Sequence, residues 1–464
     1  QMRFLGLKPI QWAGLLMLVG FCLSRTGSAE ERPVVSKGEI LNLGRCIELS
    51  LQHNPRLDSA RRAIEASQAR ITQSVSGYLP QVALSAGYDR QHTEFSDRSS
   101  SSGTTSSTFR TGIDINQLIY DFGRTGGRIE AGRQNLNLNR HRFSDTLVSI
   151  MLEVENAYYD ILRAKSVLTV AIDTVRQREE HLRLAQGFYR VGTRPKIDVT
   201  QAEVDLAGAL LDRIRAENSV NTARATLNNA IGLISPPDYD VKADIEIETF
   251  NGSIEAFVNE ALENRPQILT LKAQYDEQKA LLESAIGEYY PVLNGNTGYD
   301  LAGDEYPSDK NWSFGASLTF PLFSGFAAKG KVAEARALLG RIEADRKTAE
   351  FGTRLDVEKA FFAVKEAEES IHTTQRRVEF ATENLNLAEG RYKVGIGSAI
   401  ESTDALVSYA QARVDNVQTL YNYKTAIARL YRTAGRMEIS PAAGAPDGLS
   451  TAPRKRVPKM DEPS

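Results

Sequence analysis

Two long stretches of the chain carry apolar residues at alternating spacings of three and four. In the first stretch the series spans residues 143–175, breaks at Arg178 and resumes as far as Tyr189. In the second it spans residues 357–392. Heptads sustained over this length are typical of coiled-coil helices, and their frequent alanines predict close packing. Because no proline interrupts residues 125–190, a helix of roughly 65 residues, on the order of 100 Å long, is predicted.

Four shorter segments alternate between apolar and small or polar residues with a period of two. They predict strands at about 81–92, 108–118, 292–303 and 311–321. Pro80, Pro291 and Pro321 stand where these strands join the helices. Strands of this length cross a bilayer when tilted, and apolar residues alternating with small or polar ones are typical of membrane barrels. A half-buried hairpin of a soluble domain gives the same alternation, but four such strands beside very long helices favour the barrel.

Four strands are too few to close a barrel. Open strand edges in lipid leave backbone groups without hydrogen-bond partners, and the smallest membrane barrels have about eight strands. The chain is therefore predicted to form an oligomer. The strand pattern does not decide between two, three and four copies.

The chain consists of two tandem copies of one pattern. Tyr189 matches Tyr392 at an offset of 203 residues, whereas Pro80 matches Pro291 at an offset of 211. The difference falls at the Ser/Thr-rich run Ser99–Thr108, which predicts an enlarged flexible loop in the first copy.

These patterns divide the chain into five parts. Residues 1–29 have a basic start, an apolar run and small residues before Glu30, as secretory signal peptides do. The first repeat is predicted over 30–235, a linker with some β structure over 236–252, the second repeat over 253–436 and a disordered tail over 437–464.

Charge and cysteine content narrow the possible partners. Lys and Arg number 56, Asp and Glu number 59, and the net charge is −3, so a nucleic-acid partner is not expected. Cys22 lies inside the predicted signal peptide, where the bulky Phe21 disfavours lipid attachment. Cys46 is then alone, so no intrachain disulfide is expected, and a buried position on a helix suits it.

The sequence contains no recognisable catalytic, metal or cofactor motif. Residues 325–332, GFAAKGKV, approach a phosphate-binding loop, but Val332 stands where such a loop needs Ser or Thr. The five histidines lack metal-ligand spacing. No enzyme, no metal site and no cofactor is therefore expected.

Four motifs recur in the same order in both copies. The first copy has CIELSLQHNPRL from Cys46, GYLPQVALSAGY from Gly77, QLIYDFGRTGGRI from Gln117 and YRVGT from Tyr189. The second copy has FVNEALENRPQI, EYYPVLNGNTGY, FPLFSGFAAKGKV and YKVGI. Through this order and duplication the chain resembles, over about 40–436, the TolC family of outer-membrane efflux and type I secretion channels.

The resemblance implies a mainly α fold with a β-barrel part. By this resemblance, three chains are expected to form a homotrimer whose twelve strands build one barrel in the outer membrane of a Gram-negative bacterium. Twelve helical strands continue as a coiled-coil α-helical barrel through the periplasm, and the linker contributes to a belt around it. A periplasmic adaptor (membrane fusion) protein and an inner-membrane pump of RND or ABC type dock at the far end. Cargo passes through this exit duct passively.

The resemblance also implies a periplasmic mouth that Tyr, Arg and Asp contacts hold shut. By position, this chain supplies Asp198 from the first copy and Tyr392, Glu401 and Asp404 from the second. In a trimer Glu401 and Asp404 are expected to form stacked acidic rings, whose carboxylates raise one another's pKa values and attract divalent cations.

The chain departs from the family pattern at Gly397, where members with an arginine contact have Arg. Arg194, from the other copy, is the candidate substitute. Gly192 and Gly395 are predicted to be the points where the chain turns between helices.

The kind of cargo stays open at this stage. Small-molecule efflux and one-step protein secretion use the same duct. The absence of a good lipid-attachment site favours protein secretion, whereas the second mouth stretch VGIGSAIESTDAL (residues 394–406) favours efflux. A periplasmic coiled-coil scaffold is the alternative outside this class, although it would not expose Trp312, Phe314 and Leu318 on one strand face.

Overall fold

The computed structural model describes residues 35–97, 100–234, 236, 238–243, 250–304 and 309–436. The predicted signal peptide, including Cys22, and the predicted tail lie outside these residues.

Eight helices are described. They are α1 (Leu43–His53), α2 (Pro55–Val75), α3 (Arg124–Arg190), α4 (Lys196–Ile231), α5 (Ile254–Asn264), α6 (Pro266–Ile286), α7 (Ala327–Lys393) and α8 (Ala399–Thr433). The two longest have 67 residues each, about 100 Å at 1.5 Å per residue. In the part of the chain that the structure describes, no helix has both the length and the apolar content for crossing a membrane.

The internal repeat reappears in the element boundaries. Helices α3 and α7 are offset by 203 residues, as the sequence motifs are. The pair α2 and α6, with 21 residues each, is offset by 211. Both of these shorter helices begin with a proline, whose fixed φ suits the first helical turn.

Within the described residues, six strands form two sheets. They are β1 (Ile40–Leu41), β2 (Gln81–Asp97), β3 (Ser100–Tyr120), β4 (Asp240–Val241), β5 (Val292–Gly303) and β6 (Asp309–Thr319). The larger sheet is antiparallel in the order β2-β3-β5-β6. In the described part of a single chain, β2 and β6 therefore each have one edge that is not paired with another strand.

The first hairpin corrects the prediction made for the Ser/Thr-rich run. Residues 100–108, expected to be a flexible loop, belong to β3 and pair with residues 89–97 of β2. Thr104, Thr105 and Thr108 explain this difference, because β-branched residues favour strands. The second hairpin is shorter, so the ladder from β3 to β5 ends at the pair Phe109 and Gly303. The end of the first hairpin therefore extends beyond the four-stranded sheet.

The last strand also begins and ends earlier than the pattern indicated. It was expected over 311–321, but β6 covers Asp309–Thr319 and leaves Pro321 two residues beyond its end. A proline has no N–H to donate to a ladder, which explains why the strand does not extend through it.

Two buried clusters lie about midway along the long helices. In the first, β1 and β4 pair in parallel beside α1, α3 and α4. The thiol of Cys46 is fully buried there, and burial raises its pKa to about 12. In the second cluster α5 packs against α7 and α8 around Phe250. Strand β1 comes from the beginning of the first repeat and β4 from the linker, so their pairing joins the linker to the first repeat.

Long helices pair both within and between the repeats. Within each repeat the long helix packs against the next helix, α3 on α4 and α7 on α8. Between repeats, α3 packs along α6 and α8. Each pair of long helices ends in a tight turn, and these two turns are called the hairpin tips below.

Candidate functional site

One face of the four-stranded sheet is apolar across its whole width. Leu84, Ile113, Tyr299 and Trp312 lie directly opposite one another along the ladder. Opposite residues of antiparallel strands point to the same side. All four are exposed, Trp312 to 79%. Phe314 and Leu318 continue this apolar sheet face along β6 and are exposed to 82% and 66%.

The other sheet face is polar and small. The cross-strand row next to that of Tyr299 and Trp312 has its side chains on this polar face. It contains Ser85, Gly112, Asp300 and Asn311. A Cβ at Gly112 would lie 2.5 Å from an oxygen of the Asp300 carboxylate, so glycine leaves room for that side chain. A sheet with one exposed apolar face and one polar face fits a barrel wall between lipid and water.

The junctions between sheet and helices combine prolines with aromatic side chains. Pro80 and Pro291 directly precede β2 and β5, and Pro321 follows β6. Beside Pro291, Tyr290 stacks on Phe122, two residues before α3 begins, with ring centroids 5.3 Å apart. Aromatic rings at such a level are typical of the interface between lipid and water.

The hairpin tips lie at the opposite end of the long helices from the sheet. Gly192 and Gly395 have φ values of +75° and +85°, in the region that favours glycine. Neither would meet another atom if it had a Cβ. Their backbone conformation, and not crowding, therefore explains why each turn has a glycine.

Arg194 connects the first tip to the second. Its Nη2 donates to the carbonyl oxygen of Gly395 at 3.3 Å and to that of Gly397. Its guanidinium also lies 5.4 Å from the ring centroid of Tyr392. Arg194, the candidate substitute for the arginine missing at Gly397, therefore reaches the second hairpin tip, which contains that glycine.

Gly397 has no room for a side chain in this arrangement. A Cβ there would lie 2.9 Å from the backbone nitrogen of Tyr392 and 3.0 Å from the carbonyl carbon of Arg391. Backbone atoms do not yield as a flexible side chain does, so an arginine at this position requires a different turn.

Tyr392 is buried between the two tips. It is 1% exposed, and its ring contacts His181 and Phe188 of α3 at centroid distances of 5.0 and 5.6 Å. Among the described residues its hydroxyl has no hydrogen-bond partner. Burial raises the pKa of Tyr392, the charge of Asp198 raises it further and Arg194 lowers it. Asp198, in the first turn of α4, is thus an electrostatic neighbour of this ring.

The two carboxylates of the second tip have different surroundings. Glu401 forms an ion pair with Arg391 across its own turn, at 3.1 Å. Ser398 caps α8 by accepting a hydrogen bond from the backbone N–H of Glu401. Asp404 lies one turn further along and is exposed. In the part of the chain with described coordinates, no cluster of His, Cys, Asp and Glu is arranged to hold a metal ion.

Sequence reasoning missed a set of polar contacts behind the tips. Arg178 forms a buried ion pair with Asp205 at 3.2 Å, and Asp205 also accepts from Thr403 of the second repeat at 3.2 Å. Nδ1 of His181 lies 3.5 Å from the hydroxyl of Ser402. The break in the heptad pattern at Arg178 was the signal in the sequence, but it did not identify the partners.

Burial affects the titration of these groups. It lowers the pKa of Arg178, while Asp205 opposes that shift. Burial also lowers the pKa of His181, and Arg178 lowers it further. Farther from the tips, Asp173 of α3 accepts a hydrogen bond from Arg413 of α8 at 2.9 Å. The pairs His181–Ser402, Asp205–Thr403 and Asp173–Arg413 therefore connect the two repeats by charged and polar contacts.

Comparison with known proteins identifies the class. The family model described as outer membrane efflux protein matches residues 46–233 and 257–436. The chain therefore belongs to the outer membrane efflux protein family, which confirms the resemblance stated above and its location in the outer membrane.

Individual known proteins match this chain along most of their own length. The chain is 24% identical to protein CyaE of Bordetella pertussis, covering 89% of this chain and 88% of that one. It is 21% identical to the outer membrane protein TolC of Vibrio cholerae, covering 89% and 94%. The crystal structure of the Campylobacter jejuni CmeC outer membrane channel superposes with a TM-score of 0.77 at 17% identity, covering 88% and 90%.

Proposed function

We propose that three copies of this chain form one exit duct through the outer membrane. Each chain contributes four strands to a twelve-stranded barrel and two long helical hairpins to a tunnel in the periplasm. Support comes from the free outer edges of β2 and β6. In lipid such edges need partners, and pairing β6 of one copy with β2 of the next supplies them.

The duct conducts passively, and its energy comes from elsewhere. An inner-membrane pump, of RND or ABC type, delivers cargo, and a periplasmic adaptor protein joins the pump to the hairpin tips. Small molecules are the cargo we propose, because the family is described by efflux. Protein secretion through the same duct is the alternative cargo.

The hairpin tips form the closed mouth of the duct. Arg194 connects the two tips of one chain, Tyr392 fills the space between them, and Asp198 lies close to that ring. Around the three-fold axis, Glu401 and Asp404 surround the opening with negative charge. Because Glu401 is neutralised in part by Arg391, Asp404 supplies more of the charge that a cation meets.

The observation that carries this proposal is the apolar sheet face. A large exposed apolar face on a soluble scaffold would cause association, whereas lipid covers it in a barrel. Trp312 lies on this face, on the edge strand β6, and is one of only two tryptophans, the other being Trp12 in the predicted signal peptide.

Lipid contact can be measured through Trp312 in vesicles. Brominated lipids quench the fluorescence of a tryptophan that contacts acyl chains, so strong quenching of the mature protein is expected. The matched control is Trp312→Phe/Asn311→Trp, which moves the indole by one residue to the polar face and should show weak quenching. Equal and weak quenching in both proteins, together with solubility without detergent, would leave the scaffold interpretation instead.

A further inference from the structure

Both hairpins of the four-stranded sheet have an aromatic pair on the apolar sheet face. In the first hairpin Tyr88 lies opposite Phe109, and their ring centroids are 4.7 Å apart. In the second hairpin Tyr299 lies opposite Trp312. Tyr299 follows Tyr88 by 211 residues and Trp312 follows Phe109 by 203, the two offsets of the internal repeat. The same aromatic pair therefore occurs at the same place in both repeats.

The next row towards the end of each hairpin adds one positive charge to this face. Side chains of one face recur at every second residue of a strand. This row is Arg90 with Ser107 in the first hairpin and Leu301 with Lys310 in the second. The repeat turns Arg90 into Leu301 and Ser107 into Lys310, so the charge recurs although the residues are not copies. Arg90 and Lys310 are exposed, and neither forms an ion pair with another described residue.

The charges of this sheet are sorted between its two faces. In the described rows from His92 down to the helices, the carboxylates all belong to the polar face, and they are Asp89, Asp114, Asp300 and Asp309. Arg90 and Lys310 belong to the apolar face. Within these rows no carboxylate shares a face with the two cations. The apolar face therefore presents uncompensated positive charge close to the ends of the hairpins.

The height of these cations follows from the aromatic residues below them. Tyr290, at the junction with the helices, and Tyr299 are nine residues apart. That separation is about 30 Å along a strand, or about 23 Å along the membrane normal at a tilt of about 40°. The apolar band of a membrane barrel is about 25 Å tall, with aromatic rings at both borders. Lys310, one row beyond Tyr299, therefore falls at the level of the lipid headgroups.

We infer that Arg90 and Lys310 bind the phosphate groups of the phosphorylated glycolipid, lipopolysaccharide, in the outer leaflet of the outer membrane. The inference rests on the proposed barrel and adds the class of lipid that its rim binds. The hairpin ends lie at the opposite end of the sheet from the helices, which the proposed duct places in the periplasm, so this row faces the outer leaflet. Guanidinium and ammonium groups are the side chains that hold phosphate.

The first hairpin adds polar groups that suit the sugar part of a glycolipid. The hydroxyl of Tyr88 donates to that of Ser107 at 3.2 Å, so this ring presents its polar edge towards the row of Arg90. One row further, Nδ1 of His92 lies 2.7 Å from the hydroxyl of Thr105. Aromatic rings, a cation and hydroxyl groups thus follow one another along one face, in the order in which a membrane presents acyl chains, phosphates and sugars.

Trp312 reports on the Lys310 position, because the two residues are neighbours on the same face of β6. The purified full-length protein in detergent is titrated with lipid A that carries both of its phosphates, and the fluorescence of Trp312 is recorded. A saturable change is expected. Lipid A from which the phosphates have been removed should require at least about five times the concentration, since a cation near an anionic lipid surface contributes about that factor.

Lys310→Gln should raise the half-saturating concentration of phosphorylated lipid A by about five-fold. It should also remove most of the preference over the dephosphorylated form. The matched control is Arg110→Gln, because Arg110 is an exposed cation of the same sheet on the polar face, and this variant should titrate as the wild type does. Phe109→Trp/Trp312→Phe moves the reporter to the first hairpin, where addition of Arg90→Gln should weaken binding in the same way.

Three results would overturn the inference. They are equal half-saturation by both forms of lipid A, equal effects of Lys310→Gln and Arg110→Gln, and the same fluorescence change with inorganic phosphate alone, which would identify a free ion as the ligand. Conductance of the same preparations in planar bilayers keeps the proposed function separate. A protein that conducts without preferring the phosphorylated lipid lacks the lipid site alone, whereas a wild-type protein that does not conduct contradicts the duct.

Discussion

The guanidinium of Arg194 lies 5.4 Å from the ring centroid of Tyr392, although the two residues belong to different repeats. The tyrosine is buried and the arginine also donates to two carbonyl groups of the opposite turn. This pair is the centre of the contact between the two hairpin tips of one chain. An arginine of the first repeat therefore contacts the turn at Gly397, where the second repeat has no side chain of its own.

Removing the Arg194 side chain should loosen the mouth. Arg194→Ala deletes two charge-assisted hydrogen bonds and the contact with the Tyr392 ring, each worth about 1 kcal/mol or more. Single-channel conductance in planar bilayers should increase. Arg190→Ala, at the end of α3, removes the same charge close to the same turn and is the matched control. Equal conductance of both variants would show that the arginine contact does not hold the tips.

Divalent cations should block the duct chiefly through Asp404. Carboxylates are the ligands that such cations prefer, and Glu401 is paired with Arg391 whereas Asp404 is exposed. We expect Asp404→Asn to weaken the block more than Glu401→Gln does. The measurement is the concentration of Mg²⁺ that halves single-channel current at constant ionic strength. A larger effect of the glutamate variant would contradict this assignment.

Acid should favour opening through His181. Burial and Arg178 lower its pKa below the ordinary value of about 6.5. Asp205, Glu389 and Asp198 oppose that shift. His181 binds a proton less readily in the closed tips than in opened ones. The closed state therefore has its full stability above about pH 6.5 and loses stability as the pH drops below that value.

The pH dependence is measured by recording conductance between about pH 7 and pH 5, a range in which histidine titrates and ordinary carboxylates largely do not. His181→Asn, which copies the second-repeat residue Asn384, should remove most of the slope. An unchanged slope in this variant would assign the titration to another group.

A buried ion pair should dominate the stability of the contact between α3 and α8. The Arg432 Nε lies 3.3 Å from Oε2 of Glu155, and both side chains are nearly inaccessible. Burial raises the pKa of Glu155, although Arg432 lowers it. Glu155→Ala removes the carboxylate that neutralises the buried guanidinium of Arg432, which costs about 3–5 kcal/mol.

Urea unfolding in detergent, followed by circular dichroism, measures that cost. The control is Asp212→Ala, which breaks the exposed pair with Arg215 and should change the free energy of unfolding very little. Similar losses in the two variants would mean that burial does not distinguish these pairs.

The sequence predicted the elements well because the elements depend on local periodicity. Heptads indicated α3 and α7, period-two alternation indicated the four long strands, and the glycines indicated both turns. The Ser/Thr-rich run was misjudged because its composition is that of a loop, whereas its pairing with residues 89–97 provides strand hydrogen bonds.

Contacts between the repeats could not be predicted in the same way. Tyr189 and Tyr392 stand in near-identical sequence, yet Tyr189 is 46% exposed and Tyr392 is 1% exposed. What distinguishes them is that Tyr392, at the end of α7, packs against His181 and Phe188 of α3. For the same reason Arg178 was visible as a break in a heptad pattern, while its partner Asp205, on another helix, was not.

The most direct measurement is the single-channel conductance of the purified protein in planar bilayers, compared with that of the Asp198→Ala/Glu401→Ala/Asp404→Ala variant. A small wild-type conductance that increases in the variant, with block by divalent cations in the wild type alone, is the predicted result. It would establish both the pore and its acidic mouth. No conductance in either protein, with a chain that stays soluble without detergent, would contradict the account.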